Sequence, residues 1–107
     1  MADALSAAAE PTRRRLLQLL ATGPRTVSEL AEQFTVTRPA ISQHLAVLAD
    51  AGLVTARKDG RQRIYSVVPA GVTQLRAEID RFWSTELDLL VDDATNRATT
   101  QPEEHRS

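Results

Sequence analysis

A chain of 107 residues has the length of a single domain with one modest core. With 42% hydrophobic but only 4% aromatic residues, that core must be built from Leu, Val, Ile and Ala, and the lack of cysteine excludes disulfides, thiolate metal sites and cysteine nucleophiles. The net charge of −1 conceals a basic middle: residues 11–65 carry nine bases against four acids, a balance of +5, between ends of −2 and −4.

The opening MADALSAAAE lacks the basic start and long apolar run of a secretory signal. No apolar stretch approaches the length needed to cross a bilayer, so the expectation is a cytoplasmic protein without membrane contact. Residues 3–9 read as a short Ala-rich helix with Leu5 as its large apolar side chain. Pro11 suits the first turn of a second helix, along which Leu16, Leu17, Leu19 and Leu20 recur at helical spacing until Gly23-Pro24 closes it. Arg13, Arg14 and Arg15 fall in its first turns, where three cations oppose the helix dipole. Phosphate contact and simple solvation both remain open for them.

Thr26-Val27-Ser28-Glu29 is a capping box, and Leu30, Ala31 and Phe34 give the helix that follows an apolar face, with Val36 marking a turn. Thr37 is the next N-cap and Pro39 stands in the first turn after it. Ile41, Leu45 and Leu48 recur at i, i+4 and i+7 and should point inward, leaving Arg38, Ser42, Gln43 and part of His44 outside. Gly52 stops this helix. Leu53–Arg57 and Arg63–Val67 read as paired strands around Lys58-Asp59-Gly60-Arg61-Gln62, which holds the Asp-Gly signal of a hairpin. Pro69 begins a last long helix reaching about Asp92, with a stripe of Val72, Leu75, Ile79, Phe82, Trp83, Leu87 and Leu90. One domain over 1–94 is expected, followed by a polar, unpatterned tail over 95–107 that should be disordered.

The fold class expected is mainly α with a small β-hairpin: a winged helix-turn-helix of about five helices plus a two-stranded wing. Such a unit presents one exposed helix sized for the DNA major groove. Thr37, Arg38, Pro39, Ser42, Gln43 and His44 on that helix, with Arg57, Lys58, Arg61 and Arg63 on the wing, are the candidate DNA contacts. Gln43 can pair bidentately with an adenine edge, and Arg38 can reach guanine or a phosphate. The bland alternatives are a solvated helix face and a charged hairpin tip kept from aggregating. His44 has only His105, in the presumed tail, as a histidine partner, and Ser42 lies too nearly opposite it on the helix to form a dyad. No catalytic residue, metal ligand or cofactor site is assigned, and an enzyme is not expected.

Glu78, Asp80, Glu86, Asp88, Asp92 and Asp93 on the last helix lack the loop of a calcium site and read as a solvated face. The apolar stripe is too large for so small a core to cover. Leu5, Leu75, Ile79, Phe82, Trp83, Leu87 and Leu90 are therefore expected at a homodimer interface, which would also space two reading helices one DNA turn apart. Two other functions stay open: a metal-responsive repressor using carboxylates, and a winged-helix module that contacts only proteins.

With these residues in view, the chain resembles the ArsR family of bacterial winged-helix repressors. The matching segments are Glu10-Pro-Thr-Arg-Arg-Arg-Leu-Leu, Val27-Ser-Glu-Leu-Ala, Ala40-Ile-Ser-Gln-His-Leu-Ala-Val-Leu, Ala51-Gly-Leu-Val and Gly60-Arg-Gln-Arg-Ile-Tyr, and the likeness covers residues 4–92. The resemblance implies a homodimer joined by its first and last helices, binding a palindromic operator and often repressing its own operon. Many members sense metals through cysteines on the helix matching Val27–Phe34, or through His and Asp pairs on the last helix. Here the first segment is Val27, Ser28, Glu29 and Leu30, and the last helix has no histidine. The chain thus resembles the subgroup without metal ligands, with an inducer the sequence does not identify.

Overall fold

Five helices and three short strands make up a computed structural model that describes residues 3–100. In chain order they are α1 (Ala4–Ala9), α2 (Pro11–Leu20), β1 (Arg25–Thr26), α3 (Val27–Ala31), α4 (Arg38–Asp50), β2 (Val54–Asp59), β3 (Gln62–Val67) and α5 (Pro69–Thr100). The chain divides into two compact units between Leu75 and Arg76, so α5 contributes its first turns to the first unit and the rest to the second.

Side-chain caps fix where the helices of the first unit begin. The Asp3 carboxylate accepts from the Ser6 amide at 2.9 Å, and Glu10 accepts from the Arg13 amide at 2.8 Å with Pro11 at the head of α2. Thr26 and Glu29 satisfy each other: the Thr26 hydroxyl accepts from the Glu29 amide at 3.1 Å, and Glu29 accepts from the Thr26 amide at 2.8 Å. Thr37 accepts from the Ala40 amide at 3.3 Å. Each cap satisfies an amide that the first helical turn leaves without a partner.

Leu16, Leu30, Ile41, Leu45, Leu48 and Leu53 are all 0% exposed, so α2, α3, α4 and the turn leading into β2 meet in one aliphatic core. Full burial of each such side chain contributes about 1.5–3 kcal/mol. Ile41, Leu45 and Leu48 are the inward stripe expected of α4, and Leu75 of α5 is 7% exposed in the same unit.

The expected two-stranded wing is a three-stranded antiparallel sheet of order β1-β3-β2. Arg25 pairs with Tyr65 and Thr26 with Ile64, so the residues that cap α3 also extend the sheet. The strands reach further toward the tip than Arg57 and Arg63. Asp59 pairs with Gln62, leaving Gly60-Arg61 as the turn, and Gly60 takes the positive φ of 67° that this turn requires.

Two helix ends differ from expectation. α3 stops at Ala31, with Phe34 half-buried in the loop beyond. α5 continues to Thr100, past Asp92 and past the expected domain boundary at 94, so residues 95–100 of the expected disordered tail are helical. No glycine or proline interrupts the chain between Gly71 and Pro102, and extending a formed helix needs only one hydrogen bond per residue added. Residues 101–107 of that tail lie outside the described residues. No helix among the described residues is long and apolar enough to cross a membrane.

α5 begins against the end of α4 at a glycine contact. A Cβ on Gly71 would overlap the Gly52 carbonyl oxygen and stand 3.0 Å from its carbon, both backbone atoms. Alanine is ordinarily favoured over glycine inside a helix by about 1 kcal/mol. At this position the order reverses: Gly71→Ala should destabilise the protein by about 1–3 kcal/mol through overpacking, read as a lower thermal or urea midpoint. A midpoint equal to or above that of the parent protein would refute the close approach.

Candidate nucleic-acid interface

Burial of Ile41, Leu45 and Leu48 leaves α4 with an outer face and two flanks. Gln43 stands on the outer face, exposed. Arg38, Pro39, Ser42 and Ala46 form the flank toward the sheet. His44, three residues after Ile41 and four before Leu48, forms the other flank, so it borders the buried stripe.

On the sheet side, α4 and the wing enclose a groove of about 760 Å³. It is lined by Arg38, Arg61 and Arg63, by Thr26, Ser28 and Ser42, and by Tyr65, with no Asp or Glu among its described lining residues. Arg38 donates to the Ser28 hydroxyl, which ties the first turn of α4 to the first turn of α3. Register separates Arg57 from Arg63 but not Lys58, which shares the Arg63 face and yet stays outside the groove. Lys58 pairs with Arg63 and Ala56 with Tyr65, placing these four on one sheet face, whereas Arg57 opposite Ile64 is on the other. Arg57 and Lys58 are exposed but do not line the groove.

Of the expected contacts, Arg38, Pro39, Ser42, Arg61 and Arg63 therefore converge on one concavity. Thr37 is exposed beside it as the α4 cap, and Gln43 projects separately. His44 is placed differently. Its side chain is 24% exposed, Arg13 Nη1 donates to its Nδ1 at 3.3 Å, and Glu10 Oε1 lies 3.9 Å from the same nitrogen. It faces the junction of α1 and α2 rather than the outer face of α4. Sequence reasoning passed over Thr26, Ser28, Gln62 and Tyr65, which also line the groove. The signal for Ser28 was available, since the capping box places it in the first turn of α3, but its pairing with Arg38 depends on how α3 and α4 cross.

The arginines at the start of α2 serve α1. Arg13 Nε donates to the Ala7 carbonyl at 2.7 Å and Arg14 Nη2 to the Ala9 carbonyl at 3.1 Å, closing the C-terminal end of α1. Arg25 does the same for α2, donating to the Leu19 carbonyl at 3.3 Å and to the Thr22 hydroxyl at 2.8 Å. Cations that oppose the dipole of one helix thus complement the carbonyl end of the preceding one.

In the second unit, Phe82, Trp83, Leu87, Leu89, Leu90 and Val91 of α5 are 47–62% exposed. The Phe82 and Trp83 rings meet edge to face at 5.3 Å and 82°. Leu89 and Val91 widen the expected stripe. Leu75, expected in an interface, is instead buried in the first unit, while Leu5 and Ile79 are half-buried. Among the described residues, no three His, Asp or Glu side chains gather closely enough to hold a metal ion.

Comparison with known proteins places this arrangement in context. Residues 10–56 match the model of the bacterial regulatory protein, arsR family. The chain is 48% identical over 84 residues to the HTH-type transcriptional regulator Rv2034 of Mycobacterium tuberculosis, covering 78% of each protein. It is 36% identical over 67 residues to the transcriptional repressor SdpR of Bacillus subtilis, covering 63% of this chain and 74% of that one. The crystal structure of a possible transcriptional regulator for arsenical resistance superposes with a TM-score of 0.79 at 60% identity, covering 87% of this chain and 97% of that one.

The Glu10 carboxyl titrates below its ordinary range, chiefly because the Arg13 amide bonds its ionised form, aided by the neighbouring His44 and Arg13. A carboxylate depressed on folding contributes stability that is present at neutral pH and lost as pH falls through its folded-state value. Glu10→Gln should therefore lower the thermal midpoint at pH 7, and the gap from the parent protein should close on acidification through the carboxylate range. A gap that persisted unchanged at low pH would show that the charge of Glu10 is irrelevant to capping α2.

Proposed function

Because the chain belongs to the ArsR family of bacterial regulatory proteins, which are DNA-binding transcription regulators and not enzymes, we propose that it is a homodimeric repressor of its own or a neighbouring operon. The observation that carries this reading is the groove between α4 and the wing, lined by three arginines and by no Asp or Glu among the described residues. A polyanion is the natural occupant of such a concavity, and phosphate contacts fix the register of a helix laid in a major groove.

In this reading the contacts divide by chemistry. Gln43, exposed and away from the buried stripe, reads an adenine edge through its amide. Arg38, anchored by Ser28, and Arg61 and Arg63 on the wing hold the sugar-phosphate backbone. Thr37, Pro39 and Ser42 shape the approach of α4, and Arg57 and Lys58 add positive potential to the wing. The exposed apolar face of α5 supports pairing with a second copy. A two-fold pair of reading heads in turn calls for a palindromic operator with half-sites one helical turn apart.

Binding to DNA upstream of its own coding sequence tests the reading. The parent protein should retard that fragment, with affinity falling steeply as salt rises. Gln43→Ala should cost about 1–3 kcal/mol and relax site choice, whereas Arg61→Ala should weaken all sequences alike and reduce the salt slope by about one. Unaltered binding by an Arg38→Ala, Gln43→Ala double variant would falsify the assignment of α4 as the reading helix, and salt-independent association with proteins alone would favour an interaction module. Trp83→Glu combined with Leu87→Glu should convert a dimer to a monomer by sedimentation and weaken operator binding. A double variant that stayed dimeric would remove α5 from the interface.

A further inference from the structure

His44 and Arg13 form a polar contact between the recognition helix and the junction of α1 and α2, away from the groove. One guanidinium holds three pieces of backbone together. Arg13 lies in the first turn of α2, its Nε donates to the Ala7 carbonyl of α1 at 2.7 Å, and its Nη1 donates to His44 Nδ1 of α4 at 3.3 Å. Glu10, the cap of α2, accepts from the Arg13 amide at 2.8 Å and presents the same carboxylate oxygen 3.9 Å from His44 Nδ1.

A guanidinium has only donors and stays charged, so the bond assigns His44 Nδ1 as an acceptor. That assignment requires a neutral imidazole with its proton on Nε2. We infer that Arg13 and His44 are positioning residues for DNA binding: they hold α4 in its reading position through a hydrogen bond that only neutral His44 can accept. The inference rests on α4 being the reading helix.

Protonation at Nδ1 converts the acceptor into a second donor and sets an imidazolium against the Arg13 guanidinium. Glu10 and Arg13 are the charged groups that face the ring from the α1–α2 junction and from α2. The imidazolium therefore turns from Arg13 toward the Glu10 carboxylate. The link from α4 to Ala7 of α1 through Arg13 is then exchanged for a contact with the Glu10 carboxylate, a change of partner that shifts α4 from its reading position while its apolar stripe and the Arg38–Ser28 bond stay in place.

The sign of the resulting pH dependence is diagnostic. A histidine that touched DNA would gain affinity for phosphate as it charged, so binding would strengthen on acidification. A histidine that must stay neutral to accept from Arg13 makes binding weaken instead. Operator binding by the full chain should be measured at constant ionic strength from about pH 8 to about pH 5.5, the span in which an imidazole ordinarily titrates. A fall of about fivefold or more is expected for the parent protein. His44→Gln, whose amide oxygen can accept from Arg13 at every pH, should lose most of the decline. His105 is present in both proteins, so any contribution from it cancels in the comparison.

Nitrogen NMR of the parent protein without DNA supplies a readout that needs no variant: at pH 8 the His44 ring should carry its proton on Nε2. A ring protonated at Nδ1, binding that is flat or strengthens toward low pH, or an equal decline in His44→Gln each overturns the inference. Absence of operator binding at every pH would remove the DNA reading itself, and the inference with it, whereas binding with a flat profile removes the inference alone.

Discussion

The burial of one stripe on α4 is the constraint from which the rest of the first unit follows. Ile41, Leu45 and Leu48 occupy the inward third of the helix and are buried together with Leu16 of α2, Leu30 of α3 and Leu53 of the turn before β2. Close-packed side chains of this kind cannot be rotated without opening a cavity, at a cost of about 2–5 kcal/mol for each large residue lost. The rotation of α4 about its own axis is therefore fixed by apolar packing. Once it is fixed, Gln43 faces outward, Arg38 and Ser42 face the wing, and His44 faces the α1–α2 junction.

Charge is distributed around that frame by role. The basic middle of the chain reads at first as a single surface for phosphate, with nine bases over residues 11–65. Three of them are committed to carbonyl groups at helix ends: Arg13 and Arg14 to α1, and Arg25 to α2. These bonds satisfy acceptors that the last turn of a helix leaves open, so they serve folding first. The bases that converge on the groove are Arg38, Arg61 and Arg63. A smaller set of cations at one concavity directs a polyanion better than a larger set spread around the molecule, because potentials from converging charges add within a Debye length.

Much of this was legible in the sequence, and the parts that were not share a physical cause. The capping box at Thr26, the inward stripe of α4 and the hairpin at Gly60 are all local: each depends on residues within one or two turns of one another, so spacing reveals them. The groove residues Arg38, Ser42, Arg61 and Arg63 follow from the same local reading because the wing succeeds α4 directly. β1 was missed because two residues carry no periodicity, and its pairing with Tyr65 and Ile64 spans about forty positions of chain. The partners of Arg13, Arg14 and Arg25 were missed because the carbonyls they serve belong to the preceding helix, and which carbonyl a long side chain reaches depends on how the chain turns between helices. Gly71 escaped notice for a related reason: its need for a bare Cα comes from Gly52, which only the fold brings beside it.

His44 illustrates how far a periodicity argument reaches. Its position relative to Ile41 and Leu48 makes it a flank residue, and that much can be read from a helical wheel. What lies beside that flank is not on the wheel, since one flank borders the wing and the other the α1–α2 junction. The structure places it on the second, where its Nδ1 meets a donor that cannot become an acceptor. Orientation on a helix sets what a side chain can reach, and the hydrogen-bonding capacity of its neighbour sets which protonation state the contact tolerates. A residue that looks like one more contact at the edge of the reading surface is, by that second test, part of what holds the surface in place.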